Sequence, residues 1–357
     1  MNSFIISIDS TFEMTDNFLN RFLEDHYVQN NEVIIIVDGN HNSKIYELLS
    51  YAKGKYKNLS VIYSEKVGYG KANNTAAKHA QGDILFFINS DIFVEPGCFE
   101  KMQNAIEHGR ANCVQPLLIY PQSGLVQCAG TFFGPYFKDH LFDGNKITSK
   151  IVKESGPRQA LTSALYAIPK TLFWKLGGFN EFYYNKLEGF ELSYQVHLTG
   201  GTCWYLADAV AWHSRGGGRN QYSFDFRQQE AYFWARYGSN IKPDIADFIN
   251  KQLEASMLDL RYYAVMMSQI RSWTSILQET ELQCSNIVEM PWVGPNAFNL
   301  WNIFPSYLLK CPEPLLLIVE NIKYLRGNKY WFEVRDNRSD LAVDRFANLV
   351  NIYEYLH

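Results

Sequence analysis

Short apolar runs alternate with helix-length amphipathic segments through the first hundred residues. The apolar runs cover residues 4–8, 32–38, 59–64 and 83–89. Strands that alternate with helical patterns predict parallel β-α-β units, and an uninterrupted run such as 33–37 is typical of a strand buried on both faces. We therefore expect an α/β fold with a mostly parallel, Rossmann-like central sheet and helices on both faces.

The pattern changes beyond residue 100. Residues 112–137 are rich in Gly and Pro and predict short strands and turns. Helical periodicity returns at 189–201, and from about residue 225 onward the chain is largely helical and aromatic in pattern. We predict a first domain over residues 1–240 and a mainly helical C-terminal region over 241–357.

Composition and charge narrow the classes of function. The chain has 357 residues, of which 47% are apolar and 15% aromatic, which is enough for a large core. A formal net charge of −4 argues against nucleic acid as a partner. The six cysteines are spread singly without a C-x-x-C pair, so we expect free thiols in a reducing compartment.

The sequence shows no signal peptide and no transmembrane segment. The N-terminus lacks a basic n-region, and no run approaches the roughly 18 apolar residues of a membrane span. We therefore predict a cytoplasmic protein. Residues 312–331 are interpreted as a buried helix, and the alternative is an apolar helix whose basic end contacts the inner face of the membrane.

Aspartates follow three of the predicted strands. Asp9, Asp38 and Asp91 each come at or directly beyond the end of an apolar run. A single aspartate there is typical of a turn or a helix cap. In parallel sheets, however, ligands bind at the carboxyl ends of the strands, so three aspartates at equivalent ends favour a ligand site.

Four segments resemble, in this order, the motifs of the inverting family 2 glycosyltransferases, and most of all the rhamnosyltransferase-like branch. They are residues 68–97, 115–130, 177–201 and 209–218. The resemblance covers roughly residues 4–220. It implies a GT-A fold, a hexosyltransferase activity, a nucleotide-sugar donor and a divalent metal ion.

The resemblance also divides the first domain. It implies that residues 1–100 form the half that binds the nucleotide-sugar and residues 101–240 the half that binds the acceptor. The implied reaction moves a hexose or deoxyhexose from a UDP- or dTDP-sugar to a hydroxyl of a growing glycan or glycoprotein. Residues 241–357 have no counterpart, and we expect them to shape the acceptor site or a homo-oligomer interface.

The metal ligands implied by the resemblance are Asp91 and His213. Asp91 matches the last aspartate of the family's Asp-x-Asp motif, whose first two positions are Asn89 and Ser90 here. Mg²⁺ and Mn²⁺ prefer oxygen ligands, and a donor diphosphate supplies some of them. His213 matches a histidine that ligates the metal in several members, and imidazole fits Mn²⁺ better than Mg²⁺.

The nucleotide-sugar contacts implied by the resemblance come from three segments. Asp38 matches the aspartate that accepts the N3–H of a uracil or thymine base, and Asp9 follows the first strand. The loop and helix start that run beside the nucleotide hold further positions, and a basic loop after the last motif covers the diphosphate. The further donor-binding residues are Gly68, Gly70, Lys71, Asn74, Asn89, Ser90 and Arg215.

The expected general base is missing from its usual position. The family places it in a Glu-Asp pair at the start of a helix, which here reads Glu188-Gly189. Three alternatives remain: Glu188 removes the acceptor proton, Glu191 does so, or the protein supplies no base. We favour Glu188, while the third alternative would describe a catalytically silent domain that only binds the nucleotide-sugar.

Overall fold

The protein divides into two compact units. A computed structural model describes residues 1–214, 226–254 and 260–357. The first unit comprises Met1–Thr131 and Lys146–Asn240, and the second comprises Phe132–Asn145 and Ile241–His357.

The described ranges contain the following elements. The strands are β1 Asn2–Ile8, β2 Glu32–Asp38, β3 Leu59–Ser64, β4 Ile84–Asn89, β5 Ile92–Val94, β6 Cys113–Ile119, β7 Val126–Cys128, β8 Thr131–Gly134, β9 Phe137–His140, β10 Gly156–Arg158, β11 Leu165–Pro169, β12 Cys203–His213, β13 Arg261–Met267, β14 Gln283–Glu289, β15 Leu315–Val319, β16 Leu341–Asp344 and β17 Leu349–Asn351. The helices are α1 Phe12–Phe22, α2 His26–Gln29, α3 Ser43–Lys55, α4 Tyr69–His79, α5 Cys98–Glu107, α6 Lys170–Lys175, α7 Glu188–Leu198, α8 Phe226–Tyr237, α9 Ile245–Glu254, α10 Trp273–Gln278, α11 Leu300–Ile303, α12 Lys329–Arg335 and α13 Ile352–Leu356.

A mostly parallel sheet forms the centre of the first unit. Its strand order is β10-β12-β6-β11-β4-β1-β2-β3, with β5 paired to β12 and β7 to β6. Strands β3, β2, β1 and β4 run parallel, and so do β6 and β12, whereas β11 is antiparallel between β4 and β6. The register aligns Ile8 with Val37 and Ser7 with Asn89, so β1, β2 and β4 end at one edge.

Both faces of this sheet are buried. Alternate residues of β1 point to opposite sides, so that Phe4 packs on the face covered by α1 and α5, while Ile5 packs on the face covered by α4. Small side chains such as Ala72 and Ala76 let α4 approach the sheet closely. The predicted α/β fold with helices on both faces is confirmed for this unit.

The second unit differs from the mainly helical region that the pattern predicts. It contains helices, but they pack around a five-stranded sheet of order β14-β13-β15-β16-β17, in which only β17 is antiparallel. The interpretation of 312–331 as a helix was wrong, because these residues contain strand β15, which is fully buried. Short apolar runs such as 315–319 suit a buried helix or a buried strand equally, so periodicity alone does not separate them.

Two further findings concern the whole described chain. Across residues 1–214, 226–254 and 260–357, no helix is both long and apolar enough to span a bilayer. The six cysteines are free thiols, as the spacing predicts.

Candidate active site

The two predicted metal ligands lie side by side at the carboxyl edge of the large sheet. Asp91 occupies the turn between β4 and β5, and His213 is the last residue of β12, where it pairs with Ile92 of β5. His213 Nε2 lies 3.2 Å from Asp91 Oδ1, and both side chains are largely buried. The backbone N–H of Ser214 donates to the carbonyl of Asp91 at 3.1 Å, which fixes the two segments to each other.

A buried glutamine orients the imidazole of His213. Gln127, on β7, donates from Nε2 to the carbonyl of His213 at 3.1 Å, and its Oε1 lies 2.5 Å from His213 Nδ1. Because the carbonyl can only accept, the amide orientation is fixed and Oε1 must face Nδ1. Nδ1 therefore carries a hydrogen, and Nε2 is the nitrogen that faces Asp91.

This arrangement fits a cation. In neutral imidazole with a protonated Nδ1, Nε2 is an acceptor, and at 3.2 Å it faces a carboxylate oxygen that is also an acceptor. A proton or a metal ion between them removes the repulsion. Within the described part of the chain no group of three or more His, Cys, Asp or Glu side chains could hold a metal. Substrate and water oxygens would have to complete the coordination of an ion held by Asp91 and His213.

The two residues before Asp91, at the end of β4 and in the turn that follows, differ in role. Asn89 is half-buried, and its backbone N–H donates to the carbonyl of Ala164 at 2.9 Å. Ser90 is buried, and its hydroxyl lies 3.1 Å from that of Ser10, which in turn lies 3.0 Å from that of Thr15. The Ser90 side chain thus ties this turn to the start of α1.

Asp9 and Asp38 meet at the ends of β1 and β2, joined by a lysine that the sequence analysis missed. Lys66 Nζ lies 2.7 Å from Asp9 Oδ2 and 3.3 Å from Asp38 Oδ2. Asp38 also accepts the backbone N–H groups of Val67 at 2.7 Å and Gly68 at 3.1 Å. The side chain of Asp38 is only 2% exposed, whereas that of Asp9 is 29% exposed, so Asp9 is the more accessible carboxylate.

The start of α4 contacts residues that precede and begin α7 in the same unit. Gly68 precedes the helix with a φ of +85°, and a Cβ there would lie 2.7 Å from the ring of Tyr184. This position therefore requires glycine for its conformation and for space. Tyr69 donates its backbone N–H to Asn185 Oδ1 at 2.7 Å, and a Cβ on Gly70 would lie 3.2 Å from Glu188 Cγ, so Gly70 packs against this side chain.

Two predicted donor contacts on α4 have different surroundings. Lys71 is exposed in the first turn of the helix. Asn74 is buried, and its amide pairs with both backbone polar groups of Phe179 at 2.8 and 2.9 Å and with Glu181 at 3.1 Å. The Asn74 side chain therefore fixes the segment before α7, and its polar atoms are used in doing so.

Glu188 is buried and hydrogen-bonded to backbone groups. It is 2% exposed, and its two oxygens accept the backbone N–H groups of Asn185 at 2.6 Å and Lys186 at 2.8 Å. Burial raises the pKa of this carboxyl group. We conclude that Glu188 ties the start of α4 to the start of α7, which argues against its use as the general base.

Glu191 is also buried and fully engaged. It is 1% exposed, and it accepts the hydroxyl of Tyr237 at 2.6 Å and the side-chain amide of Asn180 at 2.8 Å. Arg236 Nε lies 3.9 Å away. These contacts join α7 to α8 and give Glu191 a structural role. Arg215, predicted to cover the diphosphate, lies outside the described residues.

Comparisons with known proteins identify a family that matches this chain. The sequence pattern of the family described as Glycosyl transferase family 2 matches residues 5–214. Among curated proteins, O-antigen biosynthesis protein RfbC of Myxococcus xanthus is 28% identical over 130 residues, which cover 34% of this chain. The chain spans only about a tenth of the length of that relative, since the match covers 10% of it.

Two solved structures are similar to this chain. A crystal structure of GalNAc-T7 with UDP, GalNAc and Mn²⁺ matches with a TM-score of 0.51 at 17% identity, over 60% of this chain and 43% of the other. Residues 1–349 of S. aureus TarS, in complex with UDP-GlcNAc, match with a TM-score of 0.49 at 16% identity, over 71% and 72% of the two chains. The GT-A fold predicted from the sequence is confirmed.

Proposed function

The chain belongs to glycosyl transferase family 2, and on that premise we propose that it transfers a hexose or deoxyhexose from a UDP- or dTDP-sugar to an oxygen of a growing glycan or glycoprotein. The observation that carries the proposal is the Asp91–His213 pair, clamped by Gln127 at the carboxyl edge of the sheet. Its chemistry suits a cation that faces a diphosphate.

A divalent metal ion would be held by Asp91 and His213. When bound there, it supplies positive charge that offsets the charge developing on the leaving diphosphate. The chain's own contribution is to fix both ligands before the substrate arrives: Gln127 holds the imidazole, and Ser214 holds the backbone of Asp91. The imidazole ligand favours Mn²⁺ over Mg²⁺.

The nucleoside would bind beside Asp9, Lys66 and Asp38. A carboxylate in this group can accept the N3–H of uracil or thymine, which guanine does not present in the same place, and this supports UDP or dTDP over GDP. Asp9 is the more exposed carboxylate of the two. The start of α4 lies next to this group, where the exposed Lys71 in the first turn favours phosphate.

The transfer would proceed by a single displacement with inversion. The acceptor oxygen attacks the anomeric carbon from the face opposite the diphosphate, and positioning of the two substrates supplies much of the rate. Neither Glu188 nor Glu191 offers an oxygen free of protein donors for the acceptor proton.

A second candidate function is a catalytically silent domain that binds a nucleotide-sugar. The absence of a side chain at Gly189, together with the engaged carboxylates of Glu188 and Glu191, favours it. The pairing of Asp91 with His213 favours the transferase, because a domain that only binds a nucleotide-sugar has less need of two cation ligands held in position.

Nucleotide release from UDP-, dTDP- and GDP-sugars, with Mn²⁺ or with EDTA, tests the proposal. We expect metal-dependent release from one donor by the native protein and its loss in Asp91→Ala and His213→Ala. Asp83→Ala is the matched control, because Asp83 precedes the same strand at its opposite end and its side chain is 92% exposed. Metal-dependent binding without release to any acceptor would favour the silent domain, and absence of nucleotide binding would contradict both functions.

A further inference from the structure

A serine occupies the space where the family places its base. If Gly189 carried a Cβ, that atom would lie 2.1 Å from Ser163 Cβ and 2.5 Å from Ser163 Oγ. Real Cβ atoms essentially never approach other atoms to within 3.0 Å. Any side chain at position 189 therefore requires Ser163 to move. The glycine leaves the space that the Ser163 side chain fills, and we call Ser163 and Gly189 the matched pair.

Ser163 belongs to the crevice and is fixed there. It lies just before β11, whose first residue Leu165 pairs with Ile88 of β4, so Ser163 stands opposite the turn that carries Asp91. Its carbonyl accepts the hydroxyl of Tyr69 at 2.9 Å. Within the described ranges no hydrogen bond involves Ser163 Oγ, and the residue is half-buried, which leaves this hydroxyl available to a ligand.

A serine differs from a carboxylate in the proton chemistry that it supports. Its neutral hydroxyl can donate a hydrogen bond but does not take up a proton near neutral pH, whereas an aspartate would accept one. Glu188 and Glu191, the two nearest acidic positions of the motif, are buried and bonded to protein donors. Among the described residues, a neutral acceptor hydroxyl would thus find a hydrogen-bond donor at this place, while both glutamates of the motif keep their oxygens on protein donors.

We propose that the acceptor oxygen of this enzyme is already ionised when it arrives, as part of a phosphate or carboxylate group. The inference rests on the proposed function and names the acceptor class of the same site. The anionic oxygen attacks the anomeric carbon, the bond from that carbon to the diphosphate oxygen breaks, and its electron pair leaves with the nucleoside diphosphate. No proton has to be removed, and Ser163 Oγ donates a charge-assisted hydrogen bond to the acceptor.

The acceptor class is tested with three unbranched four-carbon probes: n-butyl phosphate, butyrate and 1-butanol. Products are identified by mass spectrometry with the donor that shows metal-dependent nucleotide release or binding. Because a positioned general base contributes about 10²–10⁴-fold to such a transfer, we expect butanol to react at least about 100-fold more slowly than the better anion. Comparison of the phosphate with the carboxylate identifies the source of the ionised oxygen.

Variants at the matched pair give the sharper test. Ser163→Gly/Gly189→Asp removes the two closest atoms, Ser163 Cβ and Oγ, so that only the backbone nitrogen of residue 163, 2.9 Å from the new Cβ, has to shift. This double variant should reverse the preference toward butanol, with slower use of the anions because like charges repel. Gly189→Asp alone should unfold at a lower temperature, since its side chain collides with Ser163. Ser163→Gly alone is the control that opens the space without adding a carboxylate. It should keep the preference for the anion and transfer the sugar at a reduced rate.

Calorimetric titration with UDP and dTDP in Mn²⁺ accompanies every variant. If the native protein binds nucleotide and uses butanol as well as the anions, or transfers to none of the three probes, the inference is overturned while nucleotide binding stands. If no nucleotide binds with metal, the proposed function itself fails. Preference for an anion that survives in the Ser163→Gly/Gly189→Asp double variant would also contradict the role given to this pair.

Discussion

The clamp formed by Gln127 can be removed without changing the predicted metal ligands. Gln127→Met keeps a side chain of similar length but eliminates both hydrogen bonds to His213. The imidazole then loses the contact that fixes its tautomer and its rotation. Loss of such an outer contact typically costs 10–100-fold in metal affinity, and we expect the affinity for Mn²⁺ to fall by about that factor.

The same change should also lower the free energy of unfolding. Gln127 is 1% exposed, so its removal leaves two buried polar groups of His213, the Nδ1–H and the carbonyl, without their partner. Each such group costs about 1–3 kcal/mol. A merely structural role for Gln127 would produce this second effect alone.

Gln115→Met is the matched control. Gln115 lies on the neighbouring strand β6, is also fully buried, and makes hydrogen bonds to Thr162 at 2.9 Å and to Cys128. Electron paramagnetic resonance of free Mn²⁺, with and without UDP, gives the affinity, and thermal unfolding followed by circular dichroism gives the stability. The reasoning is refuted if both variants lose similar stability while Gln127→Met binds Mn²⁺ as tightly as the native protein.

Three other substitutions test the roles of individual contacts. For Glu188→Gln, the free energy of unfolding in urea is compared with that of the native protein between about pH 4 and about pH 7. Burial raises the pKa of Glu188 in the folded state, so this carboxyl group ionises in the unfolded chain at a lower pH, and the advantage of the native protein over the variant should shrink as the pH rises. A growing difference would contradict this. Arg335 Nε lies 2.6 Å from the carboxylate of the buried Asp340. Arg335→Met leaves this carboxylate without its charged partner and should lower the free energy of unfolding by about 3–5 kcal/mol in the same assay. A loss below about 1 kcal/mol would contradict this. Gly68→Ala should lower the unfolding temperature, because φ is +85° and the new methyl group meets the Tyr184 ring; an unchanged temperature would show that the loop relaxes.

The first unit could be predicted largely from its sequence, because its strands are uninterrupted apolar runs. Residues 33–37 and 84–88 are buried on both sides, as such runs require. The second unit could not, since the run 315–319 is too short for its period to distinguish a strand from a helix, and the partner strands β13 and β16 are remote in sequence.

Some residues of the candidate site could be predicted from local motifs, whereas the roles of others depend on contacts between residues that are far apart in sequence. Asp91 and His213 could be predicted from their motifs, and the structure brings them to 3.2 Å. Gln127 lies inside one of the motifs, yet its role depends on a contact with a residue 86 positions away. The role of Glu188 depends on hydrogen bonds from backbone N–H groups, and that of Ser163 depends on a steric contact. Neither interaction can be recognised in a single sequence.

The Glu188 carboxylate has a consequence for the comparison of relatives. Since its oxygens accept the backbone N–H groups of residues 185 and 186, which precede α7, a glutamate at this position reports how the start of this helix is held. The resemblance places the expected base at the next position, here Gly189. We therefore expect a relative that keeps the glutamate to keep this scaffold, and its reaction should be judged from residue 189 and from the residue that faces it.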